Sequence, residues 1–206
     1  MKNEIKAILF DLGNVLIKID PEKLVQGLSE YGSVNANEVI DYFMDSDNMK
    51  KYTEGKLTSS YFYTRTCRFF KLKIKFREFY RIWNSIFHAY PEMEEIIRAI
   101  KKKYPDIKLV LVSNTNESHY EFIKENYNVI QLMDECVVSH EVKKQKPHAN
   151  IFKQALKIAG SIPKHTFYVD DRLDLIDAAR TMGIRAFQFT DHEAFLKDLA
   201  RLGIQV

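Results

Sequence analysis

An aspartate closes the apolar run in Ile8-Leu9-Phe10-Asp11-Leu12-Gly13-Asn14-Val15. A carboxylate at the end of a buried strand is costly unless its charge is paired or metal-bound, so Asp11 is the first candidate for chemistry. Three further polar groups stand behind apolar runs: Ser113 after Leu109-Val110-Leu111-Val112, Lys146 after Cys136-Val137-Val138, and Asp170-Asp171 after Thr166-Phe167-Tyr168-Val169. These residue types make up an aspartate nucleophile, a hydroxyl and a lysine for phosphate oxygens, and an acidic pair for a divalent cation. Attack by Asp11 on phosphorus would form an aspartyl-phosphate and divide hydrolysis into two easier steps. Mg²⁺ prefers hard oxygens and keeps several waters, so a few protein ligands suffice. Asp11 and Asp171 are expected as direct ligands, Asp170 as a ligand or just behind them, and the Gly13 carbonyl as a further donor. Lys146, Ser113 and the backbone near Asn114 are expected to hold the substrate's phosphate oxygens.

The elements needed to bring these groups together are legible downstream of residue 90. Pro91 to Tyr104 predicts a helix, with Pro91 in the first turn, glutamates early and Lys101-Lys102-Lys103 late, an order that complements the helix dipole. Strands are expected near 109–112, 136–138, 167–169 and 185–189. Helices are expected near 117–125, 149–159 (stopped by Gly160), through Ala178-Ala179 to Gly183, and from about His192. Short all-apolar strands alternating with helices predict a three-layer, Rossmann-like α/β core with a parallel sheet covered on both faces. Ligands of such sheets bind beyond the carboxyl ends of the strands, where all four candidate segments lie. Residues 18–88 break this alternation. They are expected to be helical throughout, with Asp20-Pro21 starting one helix and Leu57-Thr58 opening another. The expected division is therefore a core of residues 1–17 and 89–206, with a small helical cap of 18–88 inserted after the first strand.

Composition narrows the function classes. The chain has 206 residues, 46% apolar and 29% charged, as expected of a soluble globular protein with ample core. Its net charge of +3 is too small to announce a nucleic-acid partner. Cys67 and Cys136 form no metal-binding spacing. Met1-Lys2-Asn3-Glu4 leads straight into a strand-like run with no cleavable apolar segment, and no window approaches the ~20 apolar residues of a membrane span. A cytoplasmic protein, monomer or homodimer, with no membrane partner is the expectation. The segment from Tyr61 to Trp83 carries nine aromatics, seven basic residues and one acid, Glu78. Amphipathic helices with buried aromatics and solvated Lys/Arg explain it most simply, and steering of anionic substrates is the functional alternative. His119 is expected at the surface.

The four segments, in order across residues 5–190, resemble the four signature motifs of the haloacid dehalogenase-like hydrolase superfamily. Asp-Leu-Gly-Asn-Val and Ser-Asn-Thr-Asn are most similar to its sugar-phosphate phosphatases of the alpha-glucose-1-phosphate phosphatase type, and Tyr52-Thr53-Glu54-Gly55-Lys56-Leu57-Thr58 resembles a turn of their helical caps. The resemblance implies a Mg²⁺-dependent phosphatase of small phosphorylated metabolites, with sugar phosphates foremost. Two departures stand out. Most phosphatases of the superfamily carry a second aspartate, the general acid and base, where this chain has Gly13. Lys143 occupies a position where glycine is usual before Lys146-Pro147. The Gly13 departure leaves room for a metal-independent 2-haloacid dehalogenase or a non-catalytic binding protein. A phosphate-transferring mutase shares the fold but generally needs the acid that Gly13 replaces. Lys146→Ala is expected to weaken turnover with little effect on folding.

Overall fold

The computed structural model describes residues 4–206, so the lead-in expected at Met1–Asn3 lies outside the described residues. Five strands, β1 (Ala7–Phe10), β4 (Lys108–Ser113), β5 (Glu135–Val138), β6 (Thr166–Asp170) and β7 (Arg185–Gln188), form a parallel sheet in the order β5-β4-β1-β6-β7. The first strand therefore lies at its centre. Phe10 is level with Leu111 on one side and Val169 on the other. Asp11 follows at once, and its N–H donates to the Val169 carbonyl at 3.0 Å, carrying the ladder one residue past the strand.

Period-two alternation splits the strand side chains between the two faces. Ala7, Leu9, Val110 and Tyr168 share one core with Phe152 and Ala155 of α9 (Ala149–Ile158) and with Ile176 and Ala179 of α10 (Leu173–Thr181). Ile8, Phe10, Leu109 and Phe167 face the other, against Ile97 of α6 (Pro91–Lys103) and Phe195 of α11 (His192–Arg201). Both faces are covered. The strands are thus buried on two sides, which is why they read as unbroken apolar runs. The helix α7 (Glu117–Asn126) follows β4 and is capped by Asn116, whose Oδ1 accepts from the His119 N–H at 3.1 Å.

Between β1 and α6 the chain forms five helices: α1 (Pro21–Ser29), α2 (Ala36–Asp45), α3 (Asp47–Thr53), α4 (Ser59–Phe69) and α5 (Phe76–Asn84). Asp20 caps the first, accepting from the Glu22 N–H at 3.1 Å, and Thr58 caps the fourth. Phe62, Phe70, Phe79 and Trp83 are buried there, while Arg65, Arg68, Lys71, Lys73, Lys75 and Arg77 are exposed, the amphipathic arrangement expected. The expectation of helix alone over residues 18–88 fails at both ends. β2 (Ile17–Ile19) and β3 (Phe87–Ala89) pair antiparallel, with Lys18 opposite His88. Three residues are too few to show a period, and each strand is stabilised by a partner some seventy residues away.

A second short ladder of polar contacts ties the helical insertion to the sheet. Ser139 Oγ, in the short helix α8 (Ser139–Val142), donates to the Thr53 carbonyl at 2.6 Å, and Lys143 Nζ donates to the Gly55 carbonyl at 3.0 Å. Lys143 is left-handed at φ 60°, which accounts for the preference for glycine at that position. Gly55 is left-handed too, at φ +62°, and a Cβ there would collide with the His140 carbonyl and Lys143 Nζ. Gly55→Ala is expected to cost about 2 kcal/mol or more, lowering Tm by roughly 4 °C or more in a calorimetric scan. An unchanged Tm would mean that this turn does not dock as described.

Candidate active site

The sheet order brings the four sequence-distant segments to one edge. Asp11 follows the central strand, Ser113 ends its neighbour β4, Asp170 ends its other neighbour β6, and Lys146 arrives on the loop between α8 and α9. They meet on the floor of a cavity of about 270 Å³ lined by Asp11, Gly13, Ser113, Asn114, Lys146 and Asp171, with walls from the helical insertion. That volume lies just below the ~300–1,000 Å³ of typical small-molecule sites, suited to a compact metabolite.

Lys146 is the hub of the site. Its Nζ donates to Asp11 Oδ1 at 2.6 Å, Asp170 Oδ2 at 2.7 Å and the Tyr168 hydroxyl at 3.0 Å, using all three ammonium hydrogens. Tyr168 in turn donates to Asp170 Oδ2, and the Arg172 N–H donates to Asp170 Oδ1 at 2.9 Å. The lysine side chain is 1% exposed, Asp170 0% and Asp11 13%, so this is a buried charge cluster rather than a surface pair. The expectation that Lys146→Ala leaves folding nearly untouched is therefore overturned. Removing the ammonium strands two carboxylates that face each other in a water-poor pocket.

The loop bearing Lys146 is fastened from the β4 side. Asn114 Nδ2 donates to the Lys146 carbonyl at 2.9 Å, and the Lys146 N–H donates to Asn114 Oδ1 at 2.7 Å. The Asn114 side chain thus positions the lysine. Ser113 is buried and lines the cavity beside Asp11. Asn14 Nδ2 donates to Asp171 Oδ2 at 3.0 Å, and Gln188 Nε2 donates to the Asp171 carbonyl at 2.8 Å, setting that carboxyl at the cavity wall. Asp174 and Asp177 pair with Arg172 and Arg180 instead, at exposed positions away from the cluster.

One lysine cannot satisfy three acids. Burial works against the Lys146 charge, but Asp11, Tyr168 and Asp170 outweigh it and hold its pKa well above the ordinary range. Burial pushes the Asp11 carboxyl up to about 6; Lys146 pulls it down, and Asp170 adds to the rise. Burial also raises Asp171, against the Asn14 hydrogen bond and with the help of Asp170. The lysine stays charged while its carboxylates are only partly neutralised. One oxygen from each of Asp11, Asp170 and Asp171 lies within 4.8 Å of the others, the one such cluster of potential ligands among the described residues. Hard oxygen donors with surplus negative charge fit a divalent cation such as Mg²⁺, whose octahedral shell places ligand oxygens about 3–4 Å apart. Gly13 lines the same floor, and a Cβ there would stand 2.6 Å from Ile19 Cδ1, so Ile19 of β2 occupies the space a side chain at residue 13 would need.

Three contributors went unrecognised in the sequence. Tyr168 lies two residues before Asp170 on the same side of β6; a hydroxyl inside an otherwise apolar buried strand needs a partner, and that was the available signal. Asn14 was within the first motif without a role. His119, expected at the surface, is 7% exposed and lines the cavity. It shares the buried face of α7 with Ile123, four residues on.

Comparison with known proteins identifies the family. A model of the haloacid dehalogenase-like hydrolase family matches residues 8–189. D-ribitol-5-phosphate phosphatase of Bacteroides thetaiotaomicron is 27% identical over 191 residues, spanning 89% of this chain and 91% of that protein. A haloacid dehalogenase-family enzyme of the same organism, solved in complex with magnesium and inorganic phosphate, is similar at TM-score 0.80 and 25% identity, over 90% of this chain and 94% of that one. A hydrolase of like fold from Porphyromonas gingivalis is similar at TM-score 0.81 and 22% identity, over 98% and 100% of the two chains, a likeness of fold. With Asp11, Ser113, Lys146 and Asp170-Asp171 gathered at one sheet edge and a family match running through all of them, this chain belongs to the haloacid dehalogenase-like hydrolases.

Proposed function

We propose that this protein is a Mg²⁺-dependent phosphatase that hydrolyses small phosphorylated metabolites, sugar or polyol phosphates foremost, through an aspartyl-phosphate at Asp11. The observation that carries this reading is the floor of the cavity, where the Asp11, Asp170 and Asp171 oxygens cluster within 4.8 Å beside the Lys146 ammonium. The phosphatase named for D-ribitol 5-phosphate and the neighbour bound to magnesium and phosphate support it. Helices α1–α5, within residues 18–88, act as a cap over a core of 1–17 and 89–206, because both line the cavity.

In the first step an Asp11 oxygen bonds to phosphorus and the bond from phosphorus to the leaving alcohol oxygen breaks, that oxygen keeping the electron pair and taking up a proton from solvent. In the second, water bonds to phosphorus and gives up a proton to solvent, the phosphorus–Asp11 bond breaks, and the carboxylate returns with inorganic phosphate released. Ser113, with the backbone near Asn114, holds the equatorial oxygens, and Lys146, its three hydrogens engaged by Asp11, Asp170 and Tyr168, stabilises the charge spreading onto them through its own positive charge. Asp11 and Asp171 are assigned as metal ligands with the Gly13 carbonyl. Asp170, with both oxygens hydrogen-bonded, serves as a ligand or orients Lys146 from behind. A bound Mg²⁺ supplies the positive charge that lets one anion approach another. The clustered acids weigh against a metal-independent dehalogenase. Gly13 provides no acid, and Ile19 fills that corner. The side-chain acid typically contributes ~10²–10⁴-fold, so esters of poorly leaving alcohols, polyol phosphates included, are expected to turn over more slowly than p-nitrophenyl phosphate does.

Purified protein assayed on p-nitrophenyl phosphate, D-ribitol 5-phosphate and a sugar-phosphate panel is expected to release phosphate only with Mg²⁺. Asp11→Asn should abolish turnover. Metal-independent halide release from 2-haloacids, or silence on every phosphate, would contradict the proposal. Lys146→Met should lower stability by about 3–5 kcal/mol in metal-free urea titrations at pH 8. The penalty should shrink as pH falls from 8 toward 6, because without Lys146, which holds the burial-raised Asp11 carboxyl down at about 6 in the parent, Asp11 takes up its proton at higher pH and relieves part of the repulsion. Equal midpoints for the variant and the parent at pH 8 would overturn the buried-cluster account.

A further inference from the structure

The cavity is also lined by two buried residues, Trp83 and His119, whose polar groups the hydrolytic chemistry does not use. Trp83, on α5, is 2% exposed, and its indole Nε1–H has no hydrogen-bond partner. A buried donor left unpaired costs on the order of 1–3 kcal/mol, so its presence calls for an acceptor from outside the protein's own hydrogen-bond network. His119, on α7, stacks on the same indole, with ring centroids 4.1 Å apart and an interplanar angle of 22°. Phe87 meets the imidazole edge-on at 4.6 Å. Both Trp83 and His119 line the cavity.

The state of the histidine follows from its contacts. His119 Nε2 lies 3.1 Å from the Trp83 carbonyl, which can only accept, so Nε2 carries the hydrogen and Nδ1 keeps a lone pair. Burial depresses its pKa to about 3, so the ring stays neutral through the physiological range. Two stacked rings of cavity-lining residues therefore carry one unpaired donor and one acceptor. A hydroxyl is the group that can both accept and donate. Phosphate oxygens, which only accept when ionised, match the lysine end of the site instead.

We propose that Trp83 and His119 form a hydroxyl-recognition subsite for the alcohol half of the substrate, the indole N–H donating to a hydroxyl oxygen and His119 Nδ1 accepting from a hydroxyl of the same polyol or sugar phosphate. This rests on the phosphatase reading and narrows it to leaving groups that bear hydroxyls beyond the ester oxygen. Sites built to hydrogen-bond a hydroxyl reject analogues that lack it, because their own polar groups are then left unpaired.

The test compares D-ribitol 5-phosphate with n-pentyl phosphate, equal in carbon length, as substrates of the Mg²⁺-loaded enzyme. The hydroxylated ester should be preferred by about tenfold or more in kcat/KM. Trp83→Phe, which keeps a ring but loses the N–H, and His119→Phe should each lower that preference about fivefold, chiefly through KM. Because Trp83 is the single tryptophan of the chain, its emission reads the subsite directly. Adding D-ribitol 5-phosphate to Asp11→Asn protein should shift that emission, and n-pentyl phosphate should not. Turnover of both esters with equal kcat/KM, or a preference unchanged in both variants, would overturn the subsite and leave the phosphatase standing. Failure to hydrolyse both esters, p-nitrophenyl phosphate and every member of the sugar-phosphate panel would instead overturn the phosphatase. The emission measurement would then decide the subsite alone, and no shift would sink it.

Discussion

The ammonium of Lys146, shared between Asp11 and Asp170 at 2.6 and 2.7 Å, is the interaction on which the site depends. Each partner is needed by the others. Without the lysine the two acids repel in a pocket with little water, and without the acids a lysine 1% exposed has no means of keeping its charge. The cluster still carries more negative than positive charge once Asp171 is counted. A structural ion pair would be balanced; this one leaves an acid pushed up to about 6 beside a cavity. Surplus negative charge beside an accessible space suits a divalent cation.

The sheet makes that cluster possible at modest cost. A central first strand with neighbours β4 and β6 on either side puts three chain-distant residues side by side without any long loop. The remaining group, Lys146, comes from a loop and needs holding, which the reciprocal Asn114 hydrogen bonds supply. The helical insertion then supplies further walls of the cavity. It is tied back by the β2–β3 ribbon and by the turn at Gly55, where two left-handed residues let backbone carbonyls approach the core.

Much of this was legible in the residues. Asp11 follows, and Ser113 and Asp170 end, strands buried on both faces, and such strands announce themselves as apolar runs. Lys146 follows no strand directly and was legible through its place in a four-part pattern. What escaped was pairing at a distance. The partners of Tyr168 are a lysine 22 residues earlier and the acid two residues on, and only the first required the fold. Ile17–Ile19 and Phe87–Ala89 are too short to show a period, so their ribbon was invisible in an otherwise helical stretch. His119 was misplaced because its type suggested solvent, although its spacing from Ile123 put it on the buried face of α7. Spacing was the better guide.

Proton release on metal binding tests the central claim most directly. Mg²⁺ titrated into the protein by calorimetry, in buffers of different ionisation enthalpy, counts the protons displaced. Release of about half a proton or more per ion at pH 6, fading toward none at pH 8, is the result expected of an acid titrating near 6 in the cluster. Tight binding with no release at pH 6 would show that Lys146 already neutralises its acids, and the charge-surplus account of the site would fail.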